Sequence, residues 1–278
     1  SLNHKRYNHF KKQSFDQKTW RNLISKLKKK KIKIYCDVFG EKAFKIAKSL
    51  NVDGFKVHSS DLSNVLLLDL LKKTKRKIFL SSGGSTISEI SYAINILKKN
   101  NNTPILLHGF QSYPTKIEDC DLSRIELFKE IFGKSCEIGY QDHISGNNPL
   151  NFFVPQVAIG LGAIYIEKHI TFNRSKKGVD YYSSLEPKEF KKFTQLIRQP
   201  NSQENKKILL KYKRYKKIAV GQKTFKIKNA EKNYRSQVKK IWFSRNLIKK
   251  NSIIKKKDLI MKRPSSVDIN PVFAEEFI

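Results

Sequence analysis

The chain has 278 residues, 39% hydrophobic with 18 phenylalanines, enough for one large domain and a small one. No run approaches the ~18 apolar residues of a membrane span, the N-terminal residues hold no signal-like stretch, and Cys36, Cys120 and Cys136 lack metal-ligand spacing, so a reduced, cytoplasmic setting without a membrane partner is expected. The net charge of +33 is mostly lysine spread along the chain and reads as solvated surface, with a basic nucleic-acid-binding protein as the non-enzyme alternative.

The first element is a predicted helix, "SFDQKTWRNLISKLKKK", with Ser14 or Asp16 as its cap. From Lys31 onward, short β-rich runs recur: "KIKIYCDV", "GFKVHSS", "KIFLSS", "PILLHGF", "CEIGYQD" and "AIYIEKHI". Amphipathic helical segments separate them: "EKAFKIAKSL", "LSNVLLLDLLKK", "TISEISYAINILKK", "DLSRIELFKEIF" and "PLNFFVPQVAIGLG". Strands alternating with helices indicate βαβ units and a parallel sheet, and the apolar runs suit strands covered on both faces.

Polar residues collect where these strands end: Asp37, Lys56, Ser59, Ser81, Ser82, His108, Gln111, Gln141, His143, Glu167 and His169. A doubly wound sheet gathers its site near one switch point, whereas a barrel uses every strand end. The expected fold class is therefore α/β, a TIM-type parallel barrel followed by a small β-rich module. Six runs fall short of the eight a closed barrel needs, so the barrel domain, residues 1–198, is expected to lack its N-terminal strands. Its last helix is "PKEFKKFTQLIRQ", with Pro187 in the first turn. Residues 199–238 read as a linker and 239–278 as a partial β-rich module, so the chain is expected to be truncated at both ends.

Three groups of residues carry chemistry. His143 and His169 end neighbouring strands, and two neutral imidazoles could hold Mn²⁺ or Zn²⁺ with Asp142, Glu167 or Asp180 nearby; a pair of structural histidines remains the alternative. In "LSSGGSTISEI", Ser81 and Ser82 precede a Gly-Gly turn and a helix start with Thr86 and Glu89 at capping-box spacing, an arrangement suited to an anion. Lys56, inside an apolar strand, is costly unless it meets an anion or reaches solvent.

The blocks "VDGFKVHSSDLSN", "LLHGFQSYPTKIEDCDLSRI", "GYQDHISG" and "GAIYIEKHITFNRSKKGVDYYSSLEPKEF" resemble the sialic acid synthase family, from about Phe15 to Pro271. "SRNLIKKNSIIKKKDLIMKRP" is similar to the antifreeze-like (SAF) domain that follows its barrel. The resemblance implies condensation of phosphoenolpyruvate with an N-acetylated aldose, N-acetylmannosamine or a relative, giving a nonulosonic acid and phosphate. It implies Mn²⁺ or Mg²⁺ between His143 and His169, with Glu167 near the metal. Lys56, Ser59, Ser81 and Ser82 match positions that hold phosphoenolpyruvate, and Tyr113 and Asp180 match positions around the sugar. Arg263 matches an arginine that reaches the partner subunit's site, which implies a domain-swapped homodimer.

This chain departs from the family pattern at the pocket-lining Gln111 and Gln141, at Asp37, where a Thr is usual, and at Gly84, where a Met is usual. A legionaminate- or pseudaminate-type synthase is the alternative acceptor reading. The family's catalytic glutamate and a second phosphate-binding lysine lie on strands without a counterpart here, so a catalytically incomplete fragment is the other alternative, with little activity expected if these residues are the whole chain.

Overall fold

The computed structural model describes residues 14–98 and 103–263, together with residues 8 and 11. Helix α1 (Gln17–Lys29) starts at Asp16, whose carboxylate accepts from the Thr19 amide at 2.7 Å, and ends with Lys26, Lys28 and Lys29 against its negative pole. Among the described residues no helix is long and apolar enough to cross a membrane.

Six strands then follow one another: β1 (Tyr35–Asp37), β2 (Gly54–Val57), β3 (Lys77–Ser81), β4 (Ile105–His108), β5 (Glu137–Asp142) and β6 (Tyr165–Lys168). All pair in parallel, each beside its predecessor. The connections carry α2 (Glu41–Ser49), α3 (Val65–Leu71), α4 (Ile87–Lys98), α5 (Ser123–Phe132) and α6 (Val154–Gly160). Helix α7 (Pro187–Arg198) closes this series, with Pro187 in its first turn and Glu186 and Glu189 forming a capping box.

Strand alternation sends two sets of side chains to opposite faces. Phe55, Val57, Ile78, Leu80, Leu106, Ile138 and Tyr140 are buried in the apolar core shared with the surrounding helices. The other set faces inward: Tyr35, Phe79 and Tyr165 pack edge-to-face across the concave side, at 5.0 and 5.7 Å between ring centroids. Lys56 on β2 meets Glu167 on β6 at 2.7 Å. In a flat sheet these strands would stand four spacings apart, roughly 19 Å, so the sheet is curled. This is a TIM-type α/β arc, open where β1 and β6 do not pair.

Residues 199–238, expected as a linker, hold three helices: α8 (Gln203–Lys211), α9 (Lys216–Val220) and α10 (Asn229–Val238). Ala219 is fully buried in the main core, and its carbonyl accepts from the Leu122 amide at 2.9 Å. Beyond them β7 (Ile241–Ser244) and β8 (Leu259–Lys262) form an antiparallel pair. The rest of the expected module, residues 264–278, lies outside the described residues.

Candidate active site at the strand ends

Parallel strands of an α/β sheet deliver side chains to one edge, where the backbone leaves the ladder and loops begin. The deepest polar layer comes from inward positions of β1, β2, β5 and β6. Lys56 Nζ is 2.7 Å from Glu167 Oε1 and 3.7 Å from Asp37 Oδ2, and Gln141 Nε2 donates to the same Glu167 oxygen at 2.7 Å. Burial raises the Asp37 carboxyl to about 6 against the pull of Lys56, with Glu167 and Asp61 adding repulsion.

Above this layer, Ser59 opens a short helical turn after β2, and Ser81 ends β3. Ser59 Oγ, Ser81 Oγ, Gln111 Nε2 and Gln141 Oε1 are all buried without a hydrogen-bond partner in the protein. Buried polar groups are ordinarily satisfied, so these four orphans near one sheet edge make it a candidate place for a polar ligand. Ser82 differs from its neighbour: its hydroxyl donates to the Leu107 carbonyl at 2.9 Å and serves the fold. The Gly83–Gly84 turn has local reasons for both glycines. A Cβ on Gly83 would stand 2.5 Å from Gln111 Cγ, and Gly84 has φ +64°. Thr86 and Glu89 form the expected reciprocal pair, with Glu89 Oε2 accepting from Thr86 N at 2.9 Å and Thr86 Oγ1 from Glu89 N at 3.2 Å.

The histidines lie together. The ring centroids of His143 and His169 are 5.3 Å apart, and Tyr113 packs edge-on to His143 at 4.5 Å. Burial lowers the pKa of both imidazoles, in His169 against the opposing pull of Asp180 and Glu167. His143 Nδ1 is 3.2 Å from the Phe110 carbonyl, an acceptor that places the ring proton on Nδ1 and leaves Nε2 as a lone-pair donor. Two neutral, adjacent imidazoles with one oriented in this way fit a divalent cation. Among the described residues no group of three or more His, Cys, Asp or Glu side chains could hold a metal ion. A cation here would take two protein nitrogens and fill its other positions with substrate or water oxygens.

Other expected residues separate. Glu167 is bonded to Lys56 and Gln141 in the deeper layer. Asp142 projects to the opposite face, where it pairs with the equally buried Lys168 at 2.8 Å. His108 also turns outward, with Nε2 2.7 Å from the Cys120 carbonyl, and is a core residue. Asp180, at φ +53°, sits near enough to raise the Tyr113 pKa by charge, after burial as the larger cause. Arg263, expected to serve a partner subunit, is exposed and acts electrostatically on His58 and Tyr234 of its own chain.

Sequence reasoning missed the wall of the mouth formed by α10. Glu231, fully buried, accepts from the Gly84 amide at 2.9 Å and lies 3.3 Å from Arg124 Nη1. Arg235 is 2.5 Å from Glu89 Oε2, and Lys239 Nζ is 2.6 Å from Glu89 Oε1. Between these anchors Tyr234 reaches His58 and Tyr113. The available signal was the i, i+3, i+4 spacing of Glu231, Tyr234 and Arg235, which puts all three on one helix face.

The curled parallel sheet defines a TIM-type α/β protein, and the paired neutral imidazoles and orphaned hydroxyls and amides around its strand ends make that edge the candidate site. The chain belongs to the NeuB family, which its residues 2–208 match. It is 40% identical over 154 residues to the uncharacterized protein MJ1065 of Methanocaldococcus jannaschii, covering 55% of this chain and 44% of that one. It is 29% identical over 270 residues to the N,N'-diacetyllegionaminic acid synthase of Campylobacter jejuni, covering 96% and 74%. Among solved structures, the spore coat polysaccharide biosynthesis protein SpsE of Bacillus subtilis shares the fold, with a TM-score of 0.77 at 23% identity over 92% of this chain and 69% of that one.

Proposed function

We propose that this protein is a nonulosonic acid synthase that condenses phosphoenolpyruvate with an N-acylated aldose and releases phosphate. The observation that carries the reading is the cluster of unpartnered Ser59 and Ser81 hydroxyls beside Lys56, an anion site facing the histidine pair. Similarity to a legionaminic acid synthase supports a diacetamido sugar as acceptor, alongside N-acetylmannosamine.

In this reading Lys56, Ser59 and Ser81 hold the phosphate and carboxylate of phosphoenolpyruvate, and a lysine shared by two carboxylates is free to exchange one of them for the ligand. Gln111 and Gln141 offer their unmet amide atoms to acceptor hydroxyls. His143 and His169 would hold Mn²⁺ or Mg²⁺, which when bound supplies Lewis-acid polarisation of the acceptor aldehyde. Asp37, raised to about 6, exchanges a proton near neutral pH. The new carbon–carbon bond joins C3 of phosphoenolpyruvate to the aldehyde carbon, and one water adds at C2 as phosphate leaves with C–O cleavage.

The test is phosphate release from phosphoenolpyruvate with Mn²⁺ and a panel of N-acylated aldoses, with and without EDTA. Release with one sugar, abolished by EDTA and by His143→Ala, is expected. Undiminished release after His143→Ala sinks the metal assignment. Mixing His143→Ala with Arg263→Ala protein tests the expected exchange of C-terminal modules. Restored turnover means that Arg263 serves a partner, and no restoration means that it serves its own chain.

A further inference from the structure

Tyr234 sits on α10 between Glu231 and Arg235, whose ion pairs with Arg124 and Glu89 anchor that helix. Its ring lies 6.2 Å from Tyr113, which packs at 4.5 Å on His143, so the chain of rings Tyr234, Tyr113, His143, His169 runs along one side of the mouth. On the other side, its hydroxyl oxygen is 3.2 Å from His58 Nε2. Asp37, Asp180 and Arg263 all act on it electrostatically, which places it above the polar layer and between the loops after β2 and β4.

The hydrogen-bond directions along this line follow from one donor. The Ser60 amide donates to His58 Nδ1 at 3.2 Å, so that nitrogen is the acceptor and the ring hydrogen is on Nε2. His58 then donates to the Tyr234 oxygen. Tyr113 donates its own proton to Gln111 Oε1. Tyr234 keeps a proton of its own, and its hydroxyl is hydrogen-bonded with Tyr113 in the free protein, a bond that a ligand oxygen lying between the two rings would replace.

We infer that Tyr234 is a specificity-determining residue of this site, its ring forming the outer wall of the acceptor pocket and its hydroxyl donating to an oxygen of the N-acylated aldose. The inference rests on the synthase reading above. Two aromatic faces suit the C–H face of a sugar and its acyl methyl, and the Nε2–H of His58 fixes the hydroxyl so that its proton points across the mouth. Phosphoenolpyruvate is placed at Lys56, whose own partners are Asp37 and Glu167, so the two ligands are expected to respond differently to removal of Tyr234.

The experiment is calorimetric titration, in Mn²⁺, of phosphoenolpyruvate and then of N-acetylmannosamine and other N-acylated aldoses into the phosphoenolpyruvate-saturated protein. Tyr234→Phe, which keeps the ring, is expected to weaken the acceptor about fivefold, the worth of one hydrogen bond. Tyr234→Ala is expected to weaken it by more than about tenfold, since wall and donor are both lost. Phosphoenolpyruvate affinity stays within about twofold in both variants. Unchanged acceptor affinity in Tyr234→Phe and Tyr234→Ala overturns the inference, as does an equal loss of both ligands. A wild-type protein that binds phosphoenolpyruvate but none of the aldoses overturns it alone. A wild-type protein that binds no phosphoenolpyruvate overturns the synthase reading and this inference with it.

Discussion

Under α10, each buried acid faces buried bases: Glu231 meets Arg124, and Glu89 meets Arg235 and Lys239. In the adjoining mouth a single lysine stands between Asp37 and Glu167, one of these carboxyls is pushed up to about 6, and four polar atoms have no partner. The charges under α10 are almost fully buried, whereas Lys56, Asp37 and Glu167 keep 15–32% of their side-chain exposure. The first resolves its electrostatics inside the protein and acts as a clasp. The second leaves them unresolved, which is what the proposed substrates would resolve. Buried polarity alone therefore does not mark a site: Arg124 Nε in the clasp also lacks a hydrogen bond, and the mouth is set apart by gathering four such atoms around the strand ends.

Breaking the clasp should give the largest effect. Glu231→Ala leaves Arg124 facing no carboxylate on α10 and removes the Gly84 acceptor, and a loss of about 3–5 kcal/mol in unfolding free energy is expected by denaturant titration. Arg124→Met combined with Glu231→Met should recover part of this loss, because neither charge is then stranded. A double variant no more stable than the single one would show that the pair does more than neutralise itself.

A smaller effect comes from histidines that the fold keeps neutral. Burial lowers His108 and His58 to about 3, assisted by Arg124 at the first and Lys56 at the second, while unfolded histidine titrates near 6.5. Between about pH 6.5 and 3 the unfolded chain binds more protons than the folded one, so stability falls as pH drops through that window. His108→Gln should show a shallower fall in denaturation midpoint from pH 7 to 4.5, each pH series compared with its own pH 7 value. An identical slope would mean that His108 does not contribute.

The smallest expected change is the most telling about the mouth. Ser81→Ala deletes a buried hydroxyl that has no partner, so stability should stay level or rise by up to about 1 kcal/mol, while phosphoenolpyruvate affinity falls about tenfold. A loss of stability comparable to that of a core cavity would show that the hydroxyl is satisfied in the free protein. A gain in stability paired with lost binding is the trade expected of a functional site.

These two regions also differ in what their sequences reveal. The strands of the arc announce themselves through β-branched and aromatic runs, and the polar residues at and just past their ends include Lys56, Ser59, Ser81, Gln141, His143 and His169, which the structure gathers at the mouth. Whether a strand-end residue faces the mouth depends on a one-residue alternation, and so His108 and Asp142 were grouped with the site although they project into the helix layer. The clasp was illegible for another reason. Its buried face is Glu231, Tyr234 and Arg235, and hydrophobic periodicity cannot register a helix that is held by ion pairs. Residues 199–238 therefore read as a linker. The curl of the sheet was expected from the fold class, but the meeting of Lys56 with Glu167 was not, since it joins strands that are not neighbours.

The contacts of α10 and the strand after it are long in the chain: Gly84 to Glu231 spans 147 residues, His58 to Tyr234 spans 176, and Asp61 to Lys240 spans 179. Contacts of such separation form late, because a large loop must close before they reward it. A chain emerging from the ribosome can build its sheet in order, each strand beside the last, while Glu89 and Arg124 remain hydrated. The mouth gains its final wall only when residues 231–240 arrive and those charges lose their water together. The order of synthesis thus makes the mouth wait for residues made long after its sheet, and quality control acting before that moment meets a sheet without its wall.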